Sequence, residues 1–255
     1  MGIQLRPPAG SFAAARAGRT RVLEEDPELS SVVGRERAVR AAQCSVADVV
    51  QLRAGHWSAE GDAALAQDGF GLLVLDGIFV RRVGIDGRYG AELLAKGDVL
   101  RPWEHDGEDG VMPFQSAWSV VSEARLAVLD LRWATRMAPY PEVAAQLMRR
   151  LLLRSRRLAM LMAIAQQPRL DQRVWLLFWE LADRYGRVGP DGVRLDLPLT
   201  HDLIGQLVGA EPTRRRRRAA APERRLGPHR PCTRGARGVT VLRLTTPIVH
   251  AAADG

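Results

Sequence analysis

Cysteine is scarce in this chain of 255 residues: Cys44 and Cys232 are the only two, far apart, and His229 near Cys232 is the one Cys or His within a few residues of either, too few donors for a metal site. That speaks against a disulfide framework and a zinc site, and it removes the clustered thiolates that an iron–sulfur sensor needs. Long apolar runs are also lacking. The runs present, such as Leu158–Ala165 and Trp175–Trp179, fall far short of the ~18–20 residues that cross a bilayer, so no membrane role is expected. Residues 1–21 hold Arg and small residues but no apolar stretch of the secretory kind. Pro7, Pro8 and Gly10 suggest a flexible lead-in, and a cytoplasmic protein is the expectation. The five histidines include no His-x-His pair, there is no Gly-x-Ser-x-Gly elbow or P-loop, and Gly69-Phe70-Gly71 lacks the third glycine of a dinucleotide loop. Neither catalytic residues nor a metal or cofactor is expected; His56, beside Trp57, reads as a capped or half-exposed turn residue.

Charge is unevenly spread. The net charge of +8 lies wholly after Ala210, where eleven arginines face three acids; residues 1–210 are balanced. The sum alone is therefore a poor guide to nucleic-acid binding.

Along the chain, residues 22–42 read as one or two helices, with Pro27 near a start and Leu29, Val32 and Val33 on one face. From Val46 to Leu131 short apolar runs alternate with Gly and Asp: Val49–Leu52, Gly71–Leu75, Ile78–Val83, Glu92–Leu94, Trp118–Val121 and Ala127–Leu131. The pattern is antiparallel β, with Asp76–Gly77 and Asp86–Gly87 as hairpin turns, and implies a sandwich or roll. After Pro139 the period becomes helical. Val143, Leu147, Leu151, Leu158, Met162 and Ala165 form one stripe, with Arg149, Arg150, Arg156 and Arg157 largely off it. A helix to about Gln167, ~39 Å long at 1.5 Å per residue, reads either as a homodimer seam or as a helix packed on its own domain. A second helix spans Arg169–Gly186, with Leu170, Val174, Leu177, Phe178 and Leu181 on one face. Asp191–Gly192 then turns a hairpin between 186–188 and 193–197, and Thr200 caps a short helix whose core face is Ile204 and Leu207 and which Gly209 ends.

This order, closing on Leu199-Thr200-His201-Asp202-Leu203-Ile204-Gly205-Gln206-Leu207-Val208-Gly209, resembles the Crp/Fnr family of transcription regulators over roughly residues 46–210. The resemblance implies an α+β chain: flexible residues 1–21, a cyclic-nucleotide-binding-like β-roll (jelly roll) over 22–138, a dimerisation helix over 139–167, and a partial winged helix-turn-helix over 168–210. It implies a homodimer joined through Val143, Leu147, Leu151, Leu158 and Met162, double-stranded operator DNA as partner, and RNA polymerase as a further one. Lys96-Gly97-Asp98 and Gln115-Ser116-Ala117-Trp118 look like the family's phosphate-binding cassette. Gln115 stands where an Arg would neutralise phosphate, and Pro102 near where a Glu would bind the ribose hydroxyls. The resemblance thus points to an effector other than cyclic AMP, in a pocket of Arg101, Gln115 and Ser116, with Trp103, Glu104 and His105 nearby.

Thr200, His201, Thr213, Arg214, Arg215 and Arg216 are the DNA-binding candidates. After Ala210, however, five arginines and a Pro/Ala-rich stretch replace the expected recognition helix; before Val239 the only Leu, Ile or Val is Leu226, and no wing pattern is evident. Residues 211–255 are then either a basic arm that binds phosphate without sequence preference or the product of a frame change. A dimeric sensor acting through protein partners is the alternative function. Calorimetric titration with cyclic AMP is expected to give no micromolar binding; a micromolar isotherm that Gln115→Ala abolishes would contradict this reading.

Overall fold

The structure is a computed structural model describing residues 15–58, 66, 68–85, 88–102, 114–190 and 192–210, and the backbone of Thr240–Leu244. The chain divides into two compact units, Met1–Met160 and Leu161–Gly255.

The first unit is built on two antiparallel sheets. One has the order β1 (Ala15–Arg21), β2 (Val46–Leu52), β9 (Ala124–Leu129), β4 (Gly71–Asp76), β7 (Val99–Leu100); the other runs β3 (Gly55–Trp57), β8 (Gln115–Val120), β5 (Ile78–Ile85), β6 (Arg88–Ala95). Side chains alternate across a strand, so the apolar runs Leu72–Leu75 of β4 and Leu126–Leu129 of β9 mean burial on both faces. Val50, Leu72, Val74, Leu126 and Val128 join Trp57, Phe79, Leu94 and Trp118 in the roll interior. Val49, Leu73, Leu75, Ala127 and Leu129 face a second core under the helices.

Several local expectations change. The last seven residues of the lead-in form a strand, β1, paired antiparallel with β2. Residues 22–44 make three short helices, α1 (Val22–Glu25), α2 (Pro27–Ser31) and α3 (Arg35–Cys44). Pro27 opens α2, and the Asp26 carboxylate caps it by accepting from the Leu29 amide at 3.2 Å. His56 lies in a strand rather than a turn, half-buried, with its Nδ1 making no hydrogen bond.

Asp76–Gly77 is a corner, not a hairpin, because β4 pairs in one sheet and β5 in the other. Gly77 takes φ +97°, and a Cβ there would stand 2.4 Å from that of Ala124. Strands β5 and β6 do form a hairpin, in register from Ile78↔Ala95 to Ile85↔Arg88; Asp86 and Gly87 lie outside the described residues. The expected strand to Leu131 stops at Leu129. Asp130 accepts from the Trp133 amide at 2.7 Å and starts an unforeseen helix, α4 (Leu131–Met137), which buries Trp133 edge-on to Phe70 and places its indole N–H 3.1 Å from the Ser45 carbonyl.

The long helix α5 spans Pro141–Ala165, against the expected 139–167. The second unit continues with α6 (Leu170–Tyr185), β10 (Arg187–Gly189), β11 (Gly192–Leu197), α7 (His201–Leu207) and β12 (Thr240–Leu244). Leu177, Phe178 and Leu181 are buried as their spacing predicts, whereas Leu170 is exposed. On α7 the buried pair is Leu203 and Leu207 rather than Ile204 and Leu207. At Gly186 a Cβ would meet the Ala182 carbonyl at 2.3 Å and Val193 Cγ1 at 2.4 Å, so only glycine fits between the end of α6 and β11. Gly192 has φ +117° and Gly209 φ +63°, the latter matching the tight turn expected after α7; Asp191 lies outside the described residues. The absence of a wing needs correction: β12 pairs antiparallel with β11, Leu197↔Thr240 to Val193↔Leu244, giving a three-stranded sheet β10-β11-β12. Among the described residues no helix is long and apolar enough to cross a membrane.

Leu147, at 1% exposure, lies in the core beneath the helices, and Leu152, at 65%, outside it. In denaturant melts of dilute protein, Leu147→Ala is expected to cost about 3 kcal/mol and Leu152→Ala less than about 0.5 kcal/mol; equal losses would contradict this assignment of the faces.

Candidate functional site

Helix α5 presents two different faces. Towards the roll, Val143 and Leu147 are each only 1% exposed and Leu151 is half-buried against the same core. Beyond them the helical period brings Arg150, Arg154 and Arg157 to that side, and each meets carboxylate. Arg150 holds Asp26 with bonds of 2.6 and 2.8 Å and Glu28 at 2.7 Å. Arg154 holds Glu92 through two bonds of 2.6 and 2.8 Å and reaches the Val99 carbonyl at 3.2 Å. Arg157 lies 3.1 Å from Asp98, whose other oxygen accepts from the Ala95 amide at 2.9 Å and fastens the Lys96–Gly97 turn. Arg150 and Arg157, expected off the packed stripe, are thus on it. Burial by itself would raise the Asp26 pKa, but the Arg150 guanidinium outweighs it and holds the carboxyl below its usual value. Burial likewise opposes the charge on Arg150 and Arg154, and their carboxylate partners raise both above the usual arginine value.

The opposite face is apolar and open. Ala145, Met148, Leu152, Ser155, Ala159 and Met162 follow one another at steps of three and four, all exposed, Met148 at 56% and Met162 at 70%. Of the five expected interface residues, Val143 and Leu147 are closed in the core, because the stripe read from the sequence is largely the roll-facing one. Leu151 is half-buried on the roll-facing side, Leu158 is 36% exposed, and Met162 belongs to the open row.

In the roll, the expected pocket does not assemble. Arg101 donates to the Gly69 carbonyl at 2.6 Å. Gln115 stands opposite Gly84 and accepts from the Tyr89 hydroxyl, while Ser116, opposite Val83, points to the other face of the sheet. Trp103, Glu104 and His105 lie outside the described residues. What shares the Ser116 face is a cluster that sequence reasoning missed. Cross-strand register puts Glu92 and Trp118 on either side of Arg81. The Arg81 guanidinium carbon is 5.7 Å from the Trp118 ring centroid, and its buried Nε makes no hydrogen bond. Trp57, edge-on to Trp118 at 5.9 Å, extends the aromatic floor. Glu92, both of whose oxygens are held by Arg154, stands opposite Arg81 across the strand pair, so two cations and a carboxylate gather at this part of the sheet. Such a site suits a small anion with a flat apolar part. The missed signal lay in the alternation of β5, which sets Arg81 on the same face as Phe79.

In the second unit, Thr200 Oγ1 accepts from the Leu203 amide at 3.2 Å and caps α7, and His201 is exposed on its first turn. Thr213, Arg214, Arg215 and Arg216 lie outside the described residues.

No protein-family model matches this chain, and no curated protein matches it. Similar solved structures include a cyclic nucleotide-binding domain containing protein from Listeria monocytogenes (10% identity, 73% of this chain and 84% of that one, TM-score 0.49). Others are the c-di-GMP responsive global regulator CLP of Xanthomonas campestris (13%, 73% and 86%, 0.47) and a protein of Eubacterium rectale named as a crp/fnr family transcriptional regulator (15%, 74% and 82%, 0.43). The likeness is one of fold.

The Asp26 pKa, lowered in the folded state, gives stability that is present above the unfolded carboxyl value and lost as pH falls through the folded one. Asp26→Asn is accordingly expected to destabilise the protein by about 3 kcal/mol at neutral pH, with the gap from the parent closing below about pH 4. Melts between pH 2 and 7 check this; a gap that stays constant to pH 2 would contradict it.

Proposed function

We propose that the chain is a dimeric, DNA-binding transcription regulator of Crp/Fnr type, acting in the cytoplasm, whose roll senses a small anion other than cyclic AMP. The observation that carries the reading is the α5 helix of 25 residues, with one face on the roll and a free apolar row at three-and-four spacing on the other, followed by α6, a hairpin and the Thr200-capped α7. A 4–3 apolar row of this length pairs with another helix of the same kind, and a second copy of α5 offers one. The effector would sit against Arg81, Glu92 and Trp118. Operator contact would come from Thr200 and His201 at the start of α7 and from Thr213, Arg214, Arg215 and Arg216 beyond it, with RNA polymerase as a further partner.

A second reading, a dimeric sensor that works through protein partners, draws support from residues 211–239, which hold a single Leu, Leu226, and no other Leu or Ile before Val239, too little to anchor a recognition helix.

Light scattering on size-exclusion fractions and selection of bound DNA from a random pool separate the readings. Expected are a dimer, converted to monomer by the double change Met148→Glu and Leu152→Glu, and a palindromic site with half-sites about one helical turn apart. A dimer that selects no sequence supports the sensor; a parent protein that is monomeric at micromolar concentration would overturn both.

A further inference from the structure

Apolar burial and charge divide the roll-facing side of α5 between them. Val143, Leu147 and Leu151 pack on the core, but from Leu152 to Ala163 no apolar side chain of the helix is buried. Over that stretch Arg154 binds Glu92 and the Val99 carbonyl of the roll, and Arg157 binds Asp98. Glu92 is buried, and it faces Arg81 across the strand pair while it binds Arg154. One carboxylate therefore binds the cation of the helix and stands in cross-strand register with a cation of the roll.

We propose that Glu92–Arg154, seconded by Asp98–Arg157, is an ionic latch that holds the outer half of α5 against the roll; once it opens, that stretch of the helix frays while the roll stays folded. Ion pairs suit this task because their partners can be exchanged for another charge, whereas an apolar seam opens only by exposing its area to water. The first half of α5 stays anchored through Val143, Leu147 and the Arg150 pairs with Asp26 and Glu28, so release is confined to the stretch from about Leu152 onward. An anion seated on Arg81 competes with Glu92 for cationic partners and shifts the latch. The purpose assigned to the device rests on the regulator reading; the ionic hold itself does not.

Hydrogen exchange of the full chain, followed by mass spectrometry, tests the latch without any DNA or effector. Glu92→Gln keeps the size of the side chain and removes its charge. Peptides covering residues 152–160 are expected to exchange about tenfold faster or more, while those of β4 and β9 stay within about twofold. The exchanged pair, Glu92→Arg with Arg154→Glu, is expected to recover most of the lost protection. Arg157→Gln, at a half-exposed position, gives a smaller acceleration in the same peptides and serves if the Glu92 variants do not fold. Unchanged exchange over 152–160, or equal acceleration of the β4 and β9 peptides, overturns the proposal. If the parent selects no DNA sequence while the latch behaves as expected, the regulator reading falls and the latch stands.

Discussion

Three arginines on one face of α5 meet four carboxylates, two at α2 and two of the roll, and much of the first unit is arranged around that meeting. Asp26 caps α2 with one interaction and receives Arg150 with others, so the short helices and the long one are fixed by the same side chain. Asp98 closes the turn between β6 and β7 and receives Arg157. Glu92 lies in a strand whose other buried neighbours are apolar, and its position is tolerable only because Arg154 binds both its oxygens. Buried ion pairs add little net stability compared with apolar packing, but losing one partner leaves a costly charge behind. They therefore act as locators: they fix where α5 lies on the roll and in which rotation. The rotation decides which apolar row remains free.

That rotation was only partly legible in the sequence. The helix and its bounds followed from period and proline, yet Val143, Leu147 and Leu151 lie within about 80° of one another on the helical wheel, and so does the arginine row at 150, 154 and 157. A stripe drawn through apolar residues alone misses the second group and takes the buried face for the open one. Reading charge and apolar residues as one packed face leaves Ala145, Met148, Leu152, Ser155, Ala159 and Met162 as the remainder. The same holds within the roll. The cassette-like Gln115 and Ser116 drew notice because they stand in a motif, while Arg81 in an apolar alternation attracted none, although a cation on an apolar face is the stronger physical signal.

Where the sequence was most legible, local chemistry decided the outcome. Thr200 and Gly209 set the limits of α7 by capping and by a positive φ, and α6 ends at a glycine that no Cβ could replace. It was least legible where strands far apart in the chain had to be paired. Asp76–Gly77 carries the residues of a hairpin but serves a corner, because β4 finds its partners in β7 and β9. Thr240–Leu244 lies in a segment dominated by arginine and proline, and composition averaged over that segment hid a five-residue β pattern that pairs with β11.

The central claim is that the free face of α5 meets a second copy of itself while the opposite face is committed to the roll. Disulfide trapping tests it directly, in a chain with Cys44 and Cys232 replaced by serine. Ser155→Cys, in the middle of the free row, is expected to form a covalent dimer readily, since a seam brings equivalent Cα atoms within about 7 Å. Val39→Cys, equally open on α3, serves as the reference and should stay monomeric. Cross-linking at Ser155→Cys that is no faster than at Val39→Cys would contradict the account.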